Sequence, residues 1–228
     1  MRRIDEVSKL EAVTEVMPRY PIISLEVVGP AAMFTRPDTG ATPISYPVPT
    51  YSAAKGMFEA VAWWSSVYTR PTRVEICRPI RYERYITNYG GPLRKPDQIK
   101  KNNNYQLIAT ILVDVYYRIY AEVKGKKRSG TKDPAKVLWE RFNERLANGQ
   151  AYYTPCLGWK EFVPSYFGPI RERDENGNSI EPDKTVNVVI PSLLHSMWEH
   201  RKLQPIFRQN VEIKEGVMLY EEGNPHAK

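Results

Sequence analysis

The chemistry open to this chain is bounded first by the combinations it lacks. Its three histidines, His195, His200 and His226, stand late in the sequence, with no carboxylates around them at metal-ligand spacing. The two cysteines, Cys77 and Cys156, are far apart and have no histidine nearby, so they suggest two reduced thiols rather than a zinc site or a disulfide framework. There is no GxxxxGK[ST] loop, no GxGxxG turn and no HExxH helix, which removes the usual signatures of nucleotide hydrolysis, dinucleotide redox chemistry and zinc proteolysis. Lysine and tyrosine remain as proton-moving groups. Together they suit metal-independent phosphodiester cleavage, in which a ribose 2′-hydroxyl attacks its own phosphate. That reaction needs a base, a stabiliser of developing charge and an acid for the leaving oxygen.

Lys136 is the foremost single candidate. It falls in the first turn of an expected helix, where the dipole disfavours a cation, and Lys132 and the run Lys126–Arg128 crowd it. Both effects push a lysine toward the neutral form that a base requires. An ordinary exposed lysine is the plainer reading of the same residue. Tyrosine is abundant at 15 residues, and Tyr82, Tyr85, Tyr89, Tyr105, Tyr116, Tyr117, Tyr152 and Tyr153 lie near basic segments. Rings beside cations suit stacking on unpaired bases, although alternate tyrosines of a strand also simply pack. His195 and His200 read as structural.

The charge distribution points to the partner. Net charge is +7 and the isoelectric point about 9.3, but the charge is not spread evenly. Arg70 to Lys101 carries nine basic and three acidic residues, and Lys124 to Lys136 six basic and one acidic. The rest of the chain is net negative, so the cations form patches of the kind that grip phosphate backbones. The nucleic-acid contacts expected from these segments are Arg78, Arg81, Arg84, Arg94, Lys95, Lys100, Lys101, Lys126, Lys127 and Arg128. No cofactor and no metal is expected.

The elements that must position these groups follow from periodicity. Residues 1–20 read as an N-terminal extension of weak helical character, without the apolar core of a secretion signal. The longest apolar run is broken by Asp114 and Arg118, so no membrane span is expected, and the cytoplasm is the default location. Ile22 to Gly29 reads as a strand. Thr50 can cap a helix whose buried face is Ala54, Met57, Phe58, Val61 and Trp64, ending before Arg70-Pro71. RVEICRPIRYERYI is a strand interrupted at Pro79, and Tyr105 to Val123 is a long strand. The polar loop between them suggests a projecting basic hairpin over 78–123. Asp133 and Pro134 start a second helix, with Ala135, Leu138, Trp139, Phe142 and Leu146 inward and a stop at Asn148-Gly149. AYYTPCLGWKEF reads as strand and turn. The order strand, helix, strand, strand, helix, strand is the ferredoxin-like (RRM-like) pattern, and the fold class is α+β. The expected organisation is an extension over 1–20, a ferredoxin-like domain over 21–168 and a small antiparallel β domain over 169–228, with a hairpin turn at Lys214-Glu215-Gly216.

Four stretches carry a family resemblance: ISYPVPTYSAAKGMFEAVAWW, NYQLIATILVDVYYRIYAEV, NERLANGQAYYTPCLGWKEF and, more weakly, IPSLLHSMW with EGVMLY. They resemble, in family order, the Cas5 family, subtype I-C, of the CRISPR repeat-associated RNA-binding superfamily. The resemblance implies a ferredoxin-like domain with a hairpin thumb and a small C-terminal sheet. It implies metal-independent cutting of the CRISPR precursor transcript within its repeats, followed by retention on the 5′ handle of the guide RNA. Implied partners are the large and backbone subunits of a surveillance complex, with DNA contact inside it. The family places Tyr or His before the Trp that ends the first helix, where this chain has Ala62 before Trp63. The family's Lys-His pair opens the second helix, where this chain reads Ala135-Lys136-Val137-Leu138. Tyr51, Lys55, Tyr152 or Tyr153 can substitute, or the chain binds RNA without cutting it. A basic nucleic-acid binder outside CRISPR systems is the third reading.

Overall fold

Strand β1 (Ile22–Ala32) is apolar at alternate positions because one of its faces is the floor of the core: Ile23, Leu25 and Val27 are almost fully buried. The computed structural model describes residues 21–89, 96–101, 105–125, 132–174, 176–199 and 202–220. After β1 come α1 (Tyr51–Val61), β2 (Val67–Ile76), β3 (Tyr82–Tyr89), a short α2 (Pro96–Lys100), β4 (Tyr105–Gly125), α3 (Pro134–Ala147) and β5 (Tyr166–Gly168). The strands β6 (Val188–Glu199), β7 (Lys202–Lys214) and β8 (Val217–Leu219) complete the elements among the described residues. The expectation for residues 1–20 lies outside the described residues.

The sheet runs β5-β1-β4-β2-β8-β7-β6, with β3 paired to β4. β4 is antiparallel to both β1 and β2, so β1 and β2 run the same way and α1 makes the crossover between them. β5, β1, β4 and β2 are thus the four strands of the ferredoxin-like arrangement. β4 serves two structures at once. Its second half pairs with β1 and β2, and its first half pairs with β3 from Tyr82↔Leu112 to Tyr89↔Tyr105 to form the thumb hairpin. Between the halves stands Asp114, at a φ of 52° that few side chains tolerate. Its carboxylate receives both Arg78 and Arg81, from the segment crossing between β2 and β3. That clamp fixes where the hairpin leaves the sheet.

Both helices begin where local chemistry dictates. The Thr50 hydroxyl accepts from the Ala53 N–H at 3.2 Å, and the Asp133 carboxylate accepts from the Ala135 N–H at 3.0 Å with Pro134 as the first helical residue. α1 buries Ala54, Met57, Phe58 and Val61, and α3 buries Ala135, Leu138, Phe142 and Leu146. Phe58 and Phe142 meet with ring centroids 5.6 Å apart. Each such large apolar side chain contributes about 1.5–3 kcal/mol through burial. The opposite face of the sheet is polar but internally neutralised. Glu26, wholly buried, receives Arg118 and Arg171; Arg70 meets Glu122, and Arg73 meets Glu75.

Four local expectations change. Helix α1 ends at Val61, and Trp64 lies beyond it and is 40% exposed. β2 begins at Val67 and so contains Pro71, which lacks an N–H for the ladder; the pairing slips there, between Pro71 and Arg73. The interrupted strand at Pro79 is two strands, β2 and β3. Residues 151–165 are irregular, with Gly158 at φ 91° against β1, where a Cβ would overlap the Met33 carbonyl; the strand follows at β5. The C-terminal strands continue the main sheet. β8 pairs with β2 through Arg73↔Leu219, Val74↔Met218 and Glu75↔Val217, and the hairpin turn sits at Glu215 and Gly216.

Candidate functional site

Helix α1 lines up Tyr51, Lys55 and Glu59 four residues apart, which places them along one stripe. The Tyr51 hydroxyl is hydrogen-bonded to the Tyr68 hydroxyl at 2.5 Å. The Lys55 ammonium lies 4.7 Å from the centroid of the Tyr68 ring and 3.5 Å from the Glu59 carboxylate. Farther along, the Tyr153 hydroxyl donates to the Gly56 carbonyl at 3.0 Å. Tyr51 and Lys55 are therefore brought together around Tyr68, whereas Tyr153 packs on another face of α1, beside Ala53, Gly56, Met57 and Ala60. Tyr51 itself is only 6% exposed, whereas Tyr68 is 46% exposed. A substrate would meet Tyr68, with Tyr51 behind it. Burial first, and the Tyr68 hydrogen bond second, push the Tyr51 phenol far above its ordinary range, so it stays protonated. Tyr153 is also raised, by burial and then by the Glu59 charge.

Behind Tyr51 lies His195, from β6. The two rings stack with centroids 4.1 Å apart and planes 17° from parallel. His195 is 8% exposed, and neither ring nitrogen finds a hydrogen-bond partner. Burial, helped by the Arg208 charge, lowers its pKa to about 4. It is a neutral ring at neutral pH and packs against Tyr51. His200 and His226 lie outside the described residues.

Ala62, which stands where the resemblance calls for a proton carrier, caps α1 in extended conformation and is 2% exposed. Beside it opens a cleft of about 460 Å³ lined by Glu59, Trp63, Tyr152 and Tyr153. The loop carrying the two tyrosines is tied to the last turn of α1, where the Tyr152 N–H donates to the Ala60 carbonyl at 2.7 Å. Arg145 bonds the Val61 carbonyl at 2.7 Å and lies 4.0 Å over the Tyr152 ring. Sequence reasoning missed Tyr68, Glu59 and Arg145. Helical spacing from Tyr51 could have found Glu59; nothing local marks the other two.

Lys136 stands apart. It is exposed in the first turn of α3, next to Ala135, which packs on Gly125 at the end of β4. No described hydrogen bond or ion pair joins it to Tyr51, Lys55 or Tyr153. Gly125 pairs with Val67 and Lys124 with Tyr68, so α3 begins at the end of the sheet where Tyr68 lies.

The expected phosphate-gripping residues divide. Arg78 and Arg81 are committed to Asp114. Arg84 is exposed on β3, between the exposed Tyr82 and Ile86, and Lys100 and Lys101 are exposed at the end of α2. Arg94, Lys95, Lys126, Lys127 and Arg128 lie outside the described residues. Among the described residues, no three or more His, Cys, Asp and Glu stand close enough to hold a metal ion. Both cysteines are free, and burial pushes the Cys77 thiol up to about 12. No helix among the described residues is long and apolar enough to cross a membrane.

Comparison with known proteins adds the following. The sequence profile of the family described as CRISPR-associated protein (Cas_Cas5) matches residues 22–220. A protein from Mannheimia succiniciproducens named CRISPR pre-crRNA endoribonuclease Cas5d is 28% identical over 212 residues, covering 86% of this chain and 93% of its own. A protein of the same name from Thermus thermophilus is 33% identical over 148 residues, covering 64% of this chain and 63% of its own. Among solved structures, a CRISPR-associated protein superposes with a TM-score of 0.64 at 21% identity, covering 89% of this chain and 92% of its own. A functionally uncharacterised protein of Streptococcus mutans gives 0.63 at 16% identity, with 89% and 93% covered. At these identities the two structures speak for the fold.

Proposed function

Because the chain belongs to the Cas5 family of CRISPR-associated proteins, we propose that it binds the repeat of a CRISPR precursor transcript and cleaves it without a metal ion. The observation that carries this reading is the cluster on α1. Tyr68 presents a hydroxyl held by Tyr51, with the Lys55 cation 4.7 Å from its ring. The two relatives named as pre-crRNA endoribonucleases support the substrate class.

In this reaction the 2′-hydroxyl loses its proton to a base and its oxygen bonds to the adjacent phosphorus. The bond from phosphorus to the 5′-oxygen breaks, and that oxygen takes a proton from an acid. The products are a 2′,3′-cyclic phosphate and a 5′-hydroxyl. Lys55 neutralises charge on the phosphate oxygens. Tyr68 is the phenol that hands over a proton, Tyr51 positions Tyr68, and Lys136 is the candidate base. The exposed Arg84, Lys100 and Lys101 of the thumb hairpin hold the strand through its phosphates. After the cut the protein stays on the 5′ handle within a surveillance complex, against its large and backbone subunits and near the target DNA.

One observation favours a second reading. Ala62 cannot move a proton, and a chain without that group serves equally as a non-catalytic 5′-handle-binding subunit. Repeat RNA with a 2′-deoxyribose at the nucleotide before the scissile bond separates the two. Cleavage of all-ribose RNA, lost on that single replacement while binding persists, supports the enzyme. Tight binding of both RNAs with no cut leaves the binding subunit.

A further inference from the structure

The cleft beside Ala62 has a construction that proton transfer does not explain. Trp63, Tyr152 and Tyr153 around it are 60%, 55% and 55% exposed. Single exposed rings are ordinary, but several converging on one cavity mark a binding surface. Two of them are also held rigidly. Arg145 covers one face of Tyr152 at 4.0 Å, and the hydroxyl of Tyr153 is fixed on the Gly56 carbonyl at 3.0 Å. Rings ordered before the ligand arrives lose little freedom on binding it.

The chemistry of the lining narrows the occupant. Aromatic faces accept a flat ligand by stacking, as they do an unpaired base. Among the described residues the one charged group lining the cleft is Glu59, an acceptor of hydrogen bonds only. One Glu59 oxygen already pairs with Lys55 at 3.5 Å, and an aliphatic or phenyl side chain would bring no donor to the other. Among bases, adenine, cytosine and uracil each turn at least one acceptor toward a carboxylate on their pairing edge. Guanine alone offers two adjacent donors there, N1–H and the 2-amino group. We infer that this cleft is a pocket for one unpaired guanine of the bound RNA, stacked on the rings and held at its pairing edge by Glu59. This rests on the RNA-binding reading and adds a base preference to it.

The test uses the full chain and fluorescently labelled nonaribonucleotides, all uridine except for a central guanosine, inosine, adenosine, cytidine or uridine, with the protein's own repeat RNA measured alongside. The guanosine oligomer should bind about tenfold more tightly than the adenosine, cytidine and uridine ones, the size expected for a two-bond contact to a base edge. Inosine, which keeps N1–H and lacks the amino group, should fall between. Glu59→Gln should bring the guanosine preference below about threefold, and Trp63→Ala should weaken every oligomer. Equal affinity for all five oligomers, with the repeat RNA still bound, overturns the guanine pocket and leaves RNA binding standing. Failure to bind the repeat RNA at all overturns both. Protection of these rings by a sister subunit while bound RNA leaves them accessible would also overturn the pocket.

Discussion

His195 lies flat against Tyr51, with ring centroids 4.1 Å apart, although the two residues come from the first helix and a strand near the end of the chain. The stack sets the position of the Tyr51 hydroxyl, and through it that of Tyr68. It also creates a pH dependence. Burial lowers the His195 pKa from 6.5 to about 4. Between those values the unfolded chain binds a proton that the folded chain refuses. Stability is therefore complete above pH 6.5 and declines as pH falls toward 4, by up to about 3 kcal/mol. Urea unfolding at a series of pH values should show this slope, and His195→Phe, which retains a flat ring, should flatten it. An identical slope in the variant would count against the assignment.

Tyr68→Phe removes the hydroxyl that faces solvent and keeps the ring under Lys55. Single-turnover cleavage should fall by about 10²-fold or more, as for the loss of a proton-transfer group, while repeat-RNA affinity stays within threefold. Tyr51→Phe should produce the smaller loss, because Tyr51 works through Tyr68. Cleavage that is untouched by Lys136→Ala removes that residue from the mechanism.

Glu26 is wholly buried between Arg118 and Arg171 and also accepts the Arg171 N–H at 3.1 Å. Glu26→Ala leaves the Arg118 guanidinium buried without its carboxylate. It should cost about 3–5 kcal/mol in the urea midpoint. A loss below about 1 kcal/mol would mean that water replaces the pair.

Asp114→Asn suits the positive φ at this position but gives up the charge that engages Arg78 and Arg81. All three side chains are partly exposed, so the loss of stability should be modest, below about 1 kcal/mol. The freed cations should tighten repeat-RNA binding and steepen its salt dependence, by about 0.7 per arginine that meets a phosphate of single-stranded RNA. Neutralising Lys95, Lys100 and Lys101 together should do the reverse. An unchanged salt slope in the triple variant would show that the thumb hairpin is not the contact surface.

The features legible in the sequence were those fixed by neighbours in the chain. Thr50, Asp133 and Pro134 announce two helix starts, and Gly216, at φ 76°, announces the final hairpin turn. The βαββαβ order followed from periodicity, since each strand and helix had to show its apolar face to one core. The start of β2 was hidden because Pro71 argues against a strand interior, and only a register shift in the pairing with β4 accommodates it. The site was legible in part. Tyr51 and Lys55 stand out as candidates by residue type, but Tyr68 and His195 meet Tyr51 only through tertiary packing. Arg78 and Arg81 counted as free cations in the sequence because Asp114, their partner, stands on another strand.

The most direct measurement mixes the purified chain with its own repeat RNA at low ionic strength in excess chelator, and reads binding and cleavage on the same samples. The account predicts tight binding and a single cut that leaves a 2′,3′-cyclic phosphate. No binding under these conditions would contradict it outright, and binding with the RNA left intact would contradict the assignment of cleavage to the α1 cluster.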